Sequence, residues 1–139
     1  MNRPGTLLCA GLCVCLFASS VSAHHSFAAE YDNNKPITIK GVVQKVAWVN
    51  PHAYVYIDVM DANGKVTTWA FESLSPNALA RQGWTRNSLK VGEAVTVDGY
   101  LAKDGKPLAD GSLHANSRQI TTADGRKVFV GSSADNANR

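Results

Sequence analysis

Cysteine is scarce in this sequence, and its three cysteines all lie close to the N-terminus. Cys9, Cys13 and Cys15 fall within an apolar stretch that we predict to be removed, so the remaining chain would contain none. That excludes a disulfide framework, a thiolate metal site and a cysteine nucleophile for the remaining chain. A cysteine-free chain in an oxidising compartment suits the bacterial periplasm.

A second long apolar run is also missing, and the one that exists is typical of an export signal. Arg3 supplies a positive charge, the run extends from Leu7 to Phe17, and Val21-Ser22-Ala23 fits the small-x-small rule for cleavage. The run is short for a bilayer-spanning helix. We therefore predict a cleavable signal, a mature protein that begins at His24, a periplasmic location and no integral membrane segment after cleavage. The alternative is an uncleaved N-terminal anchor.

The chain lacks any block of like charges. It has 14 Lys and Arg against 11 Asp and Glu, and its formal net charge is +3. Because these charges are interspersed, nothing indicates a nucleic-acid partner. Three catalytic signatures are absent too, namely the Gly-x-Ser-x-Gly elbow, the Walker A loop and the Gly-x-Gly-x-x-Gly fingerprint. These absences favour a monomeric accessory or binding protein for an unknown protein or small-molecule partner, rather than an enzyme.

Hydrophobic alternation sets the layout of the chain. The residues just after the signal are polar, and alternation of apolar residues starts at Pro36. The sequence therefore predicts a signal peptide at 1–23, an N-terminal arm at 24–35, a β-barrel domain at 36–131 and a disordered tail at 132–139.

The first two strands have distinct patterns. A long strand from Pro36 to Asn50 contains Gly41, and its alternation slips after Val43, which indicates a bulge or bend. In the next strand the alternation is regular. Its apolar residues, Val55 and Ile57 among them, should face inward, whereas His52, Tyr54 and Tyr56 should face outward. Asn63-Gly64 then predicts a hairpin turn.

A short helix is predicted near residues 76–82. Ser75 is a good N-cap, Pro76 is tolerated in the first turn, and Gly83 is placed to end the helix. Two longer strands and one short strand follow it. Five main strands with a helix between the third and the fourth is the order of an OB-fold, so we predict an all-β fold with one short helix, a small five-stranded OB-fold-like β-barrel.

Two of the four histidines would begin the mature protein. After cleavage His24 would offer both an α-amine and an imidazole to one metal ion, His25 would assist, and His52 is the third candidate ligand. Nitrogen donors of this kind suit copper(II), our cofactor hypothesis. His114 could also supply a nitrogen. Alternatively, the terminal pair is only solvent-exposed, and His52 caps a strand end or pairs with an acid.

Geometry is the main objection to such a metal site. A straight first strand would place its two ends on the order of 45 Å apart, with His24 before it and His52 after it. The arm would then have to fold back along the barrel.

A metal-free binding face is the alternative function. Tyr54, Tyr56 and Trp48 could contact a protein partner or a small ligand on the barrel face. Outward tyrosines on strands are common, however, and tryptophans more often belong to a core.

Several motifs together resemble a known family. Among them are His24-His25-Ser26-Phe27, Trp48-Val49-Asn50-Pro51-His52-Ala53 and Trp69-Ala70-Phe71-Glu72. They resemble the exported bacterial domain-of-unknown-function family 6152 over essentially the whole mature chain. The resemblance implies export and a small β-barrel, and it carries over no catalytic residues.

Overall fold

The computed structural model describes residues 27–131. The predicted signal, His24, His25 and the predicted tail at 132–139 therefore lie outside the described residues. None of the helices within residues 27–131 has the length and apolar character needed to cross a membrane. The elements in chain order are α1 (Phe27–Glu30), β1 (Tyr31–Ala47), β2 (Tyr54–Met60), β3 (Val66–Glu72), α2 (Pro76–Arg81), β4 (Ala94–Ala102), β5 (Leu113–Thr122) and β6 (Lys127–Val130).

The strands form a closed barrel. Their order is β3-β2-β1-β4-β5-β6, with antiparallel neighbours, and a parallel pairing of β3 with β5 closes the ring. Strands β1 to β5 make the barrel, α2 lies between β3 and β4 in sequence, and β6 pairs with the far side of β5. The predicted small all-β barrel is confirmed, with α1 as an additional single turn.

Strand β1 bends around the barrel and pairs with two neighbouring strands. Its first part pairs with β4 and its last part with β2, and the register shifts after Val43, where the sequence predicted a slip. Gly41 lies at the crossover, where an added Cβ would come within 2.4 Å of the Asp58 carbonyl oxygen. Only glycine allows this approach. The strand begins at Tyr31 rather than at Pro36, because Tyr31 pairs with Ala102 ahead of a bulge.

The barrel interior is apolar, and helix α2 packs at one end of it. In β2 the predicted facing is confirmed, since Val55 and Ile57 are 1% and 0% exposed. The Ser75 hydroxyl caps α2 by accepting from the Ala78 amide, as its sequence predicts. The remaining core is built from β1, β3, β4, β5, β6 and the segment around α2, namely Val43, Phe71, Leu74, Leu79, Trp84, Leu89, Val95, Val97, Ala115, Ile120 and Phe129.

A second packed layer lies outside the barrel. Because neighbouring strands share faces, the residues that alternate with the core residues of β2, β3 and β5 form one outer face. Its members are Tyr54, Tyr56, Ala70, Glu72, His114 and Asn116. The chain entering β1 covers part of this face, since the Phe27 ring lies 5.3 Å from that of Tyr31 and 5.8 Å from that of Tyr100.

Candidate functional site

A buried carboxylate organises the outer face. Glu72 ends β3 and is 3% exposed. The hydroxyls of Tyr31 and Tyr54 each donate to its Oε2 at 2.9 Å, and His52 Nδ1 lies 2.8 Å from its Oε1. Burial alone would raise the pKa of Glu72, but the hydrogen bond and charge of His52, with the two tyrosine hydrogen bonds, hold that pKa below its usual value. We call Tyr31, His52, Tyr54, Glu72 and His114 the Glu72 cluster.

The loop before β2 holds His52 in place. The amide of the next residue, Ala53, donates to the Leu74 carbonyl at 3.0 Å, and its carbonyl accepts from the Ser73 amide at 2.8 Å. The pKa of His52 is raised, mainly by its hydrogen bond to Glu72 and against the effect of burial. With Nδ1 directed at Glu72, Nε2 is the ring nitrogen left to meet a ligand. The alternative in which His52 pairs with an acid is thus what the structure shows.

His114 joins the cluster from β5. The parallel pairing of Ala70 with His114 brings it beside the end of β3. Its Nε2 lies 2.9 Å from the Tyr31 hydroxyl and 3.9 Å from Glu72 Oε2. Tyr31 therefore links His114 to Glu72. Burial, followed by the charges of Glu72 and Glu30, raises the pKa of the Tyr31 hydroxyl.

The other predicted face residues have intramolecular partners. The rings of Tyr54 and Tyr56 lie 6.4 Å apart, and the Lys45 ammonium lies 4.0 Å from the centre of the Tyr56 ring. Trp48 packs against the hydrophobic core, and the Arg86 guanidinium lies 5.9 Å from its ring. Burial, more than the nearby Glu72, raises the pKa of Tyr54. Both tyrosines face outward as predicted, but the Tyr54 hydroxyl is committed to Glu72.

A cleft opens beside the cluster. It has a volume of about 310 Å³ and is lined by Ala29, Glu30, Ala102, Lys103, Asp104 and His114. One ligand atom from each of Glu30, Glu72 and His114 lies within 4.8 Å of the other two. Carboxylates and imidazoles are common ligands of first-row divalent metals. The arrangement can therefore hold a metal ion as well as a network of hydrogen bonds.

Sequence reasoning singled out His52 and Tyr54 but missed much of the cluster. Tyr31 lies in the predicted arm, Glu72 enters the sequence analysis only as part of a motif, and His114 only as a further nitrogen donor. The alternation of β3, which puts Glu72 opposite the inward Phe71, is the signal that could have marked an outward carboxylate.

Comparison with known proteins identifies one family. A family model described as a family of unknown function, DUF6152, matches residues 12–111. This range holds every member of the Glu72 cluster except His114. None of the curated proteins matches the sequence significantly. Because the match covers more than half of the chain and agrees with the resemblance seen in the motifs, the chain belongs to the DUF6152 family of unknown function.

Proposed function

We propose that this chain is an exported periplasmic binding protein that holds copper(II) through His24, His25 and His52. One observation carries the proposal, the 2.8 Å contact between His52 Nδ1 and the buried Glu72 Oε1. A histidine that ligates a metal usually donates from its other ring nitrogen to a carboxylate, which fixes its tautomer and raises its basicity. Glu72 supports His52 in this way and leaves Nε2 for the metal.

The start of β1 supports the proposal against the objection from strand length. Tyr31, the first residue of β1, contacts the same carboxylate that binds His52. Phe27 packs against Tyr31, so the described chain begins at the outer face itself. His24 precedes Phe27 by three residues, a reach of at most about 10 Å. The proposal requires that this short segment return to His52.

Export is part of the proposal, and it rests on the sequence. The apolar run and the Val21-Ser22-Ala23 motif support cleavage before His24. Only cleavage gives His24 the α-amine that copper(II) would use. We propose binding rather than catalysis, because the sequence holds none of the nucleophile or phosphate-loop signatures. A metal-free face on Tyr54, Tyr56 and Trp48 has less support, since these side chains already contact Glu72, Lys45 and Arg86.

The first test establishes the N-terminus. Intact-mass measurement of protein recovered from the periplasm should give a chain that begins at His24. A mass that corresponds to the full chain contradicts both export processing and the copper site.

The second test titrates this mature protein with copper(II) and follows electron paramagnetic resonance. A version with one extra N-terminal Ala should show altered nitrogen ligation, and His52→Gln should weaken binding by about tenfold or more. His114→Gln is the matched control, since it removes an imidazole of the same cluster that lies outside the copper set. Equal spectra and affinities for the mature and extended chains refute the terminal ligand. Loss of copper in His114→Gln but not in His52→Gln refutes the ligand set.

A further inference from the structure

We infer that Glu30, Glu72 and His114 form a second metal site, one that takes zinc(II). Its donors are one imidazole nitrogen and two carboxylate oxygens, a set that zinc accepts in proteins. The site goes beyond the proposed copper function. The two ligand sets have no residue in common, and Glu72, which supports His52 through Oε1, offers the zinc its other oxygen.

The distances are close to those of a zinc site. Bonds of 2.0–2.2 Å in a tetrahedron put the donor atoms about 3.4 Å apart. In the structure His114 Nε2 and Glu72 Oε2 are 3.9 Å apart, and all three donor atoms lie within 4.8 Å of one another. Closing the set requires the donor atoms to approach one another by up to about 1.4 Å.

Tyr31 places a hydroxyl at this position. Its hydroxyl lies 2.9 Å from His114 Nε2 and 2.9 Å from Glu72 Oε2. Structural zinc sites are almost always four-coordinate. Because zinc ligands in proteins are thiolates, imidazoles and carboxylates, the Tyr31 hydroxyl orients Glu72 and His114, and a water from the cleft takes the fourth position.

Electrostatics favours a cation here. Two carboxylates held this close on a covered face repel one another, and a positive charge between them removes the penalty. His52 contacts Oε1 of Glu72. A divalent ion at the donor atoms would compensate both carboxylates at once.

The cleft gives the ion a path from solvent. It is bounded by Glu30 and His114, which are both ligands in the inferred set, and has a volume of about 310 Å³. Helix α1 is fixed over it, because the Lys103 amide donates to the Glu30 carbonyl at 2.8 Å. The backbone of Glu30 is thus held beside the cleft.

The test measures zinc affinity of the mature protein by competition with a chromophoric chelator. Glu30→Gln and His114→Gln should each weaken zinc binding by about tenfold or more. Asp104→Asn should bind zinc within about threefold of the parent, and so should the chain with one extra N-terminal Ala. Asp104 lines the same cleft but is outside the set, and the extended chain separates this site from the copper site. Unchanged affinity in Glu30→Gln overturns the inference, and this variant decides if His114→Gln does not fold, because Glu30 is partly exposed on α1.

A direct spectroscopic test uses cobalt(II) in place of zinc. A four-coordinate site should give an intense visible absorption that His114→Gln and Glu30→Gln reduce and Asp104→Asn leaves in place. The weak spectrum of a six-coordinate ion in the parent protein would overturn the proposed coordination. The copper titration is independent of this result, so either proposal can fail alone.

Discussion

Replacing Glu72 by Gln is the substitution that tests the outer face most sharply. The change keeps the shape of the side chain and removes its charge. At present the carboxylate accepts from the Tyr31 and Tyr54 hydroxyls and contacts His52 Nδ1. An amide has only one oxygen to accept with, and its NH₂ group would face a donor. The variant would therefore lose the His52 contact and weaken the two that remain.

The magnitude follows from burial. Removing one partner of a buried ion pair costs about 3–5 kcal/mol, because the other charge is left without compensation. Since Gln keeps one acceptor for the tyrosines, we expect the lower end, about 3 kcal/mol in the free energy of unfolding. A domain of about 100 residues loses roughly 4 °C or more in melting temperature per kcal/mol. The expected fall is about 12 °C.

The assay is urea and thermal unfolding followed by circular dichroism near pH 6. Glu93→Gln is the matched control, because Glu93 makes a 3.1 Å pair with Arg126, whose side chain is 53% exposed. Such a surface pair contributes about 0–1 kcal/mol. If Glu72→Gln lowers the free energy of unfolding no more than Glu93→Gln does, the Glu72 carboxylate does not stabilise the outer face.

One pH series and three substitutions test other features of the same structure. The raised pKa of His52 stabilises the fold fully below the ordinary pKa of 6.5, and this stabilisation is lost as pH rises through the raised pKa. The lowered pKa of Glu72 stabilises the fold above the ordinary pKa of 4.5, and this stabilisation is lost as pH falls through the lowered pKa. The free energy of unfolding, measured by urea titration across pH, should therefore peak between about 4.5 and 6.5, and a flat profile contradicts the pairing. Gly99→Ala should cost about 3 kcal/mol or more in the same assay, because its Cβ would lie 1.7 Å from a backbone oxygen of β5. Gly64→Ala, in open space at φ +80°, should cost only about 1–2 kcal/mol, and equal losses would refute the steric argument. Ser75→Ala should lower the melting temperature by about 4 °C through loss of the α2 cap, and no change would mean that the cap is not used.

The elements of the barrel could be predicted from local sequence signals, because each signal depends on residues that lie close together in the chain. The alternation around Val55 and Ile57, the Asn63-Gly64 turn and the Ser75 cap are of this kind, and each predicted element is present. The sequence marks Gly41 within the long strand, whereas the crowding that requires glycine there comes from Asp58 on β2 and is not local.

The candidate site depends on contacts that no local pattern contains. Tyr31 meets Glu72 across 41 residues and His114 across 83 residues. Both contacts require the parallel pairing of β3 with β5, which joins strands far apart in sequence. The start of β1 was missed for a related reason. The polar run after Tyr31 has no alternation, so only the partner strand β4 shows that it is part of the sheet.

The long sequence separation between Tyr31 and His114 also determines how late in synthesis the outer face can form. A chain made from its N-terminus presents the Tyr31 hydroxyl long before His114 has been added, 83 residues later. Contacts of such separation form slowly, because a large loop must close before any contact compensates for it. The nascent chain therefore carries its first cluster residue without the partner strand until β5 has emerged. A chain stopped before residue 114 would have neither the barrel closure nor His114 of the inferred zinc set.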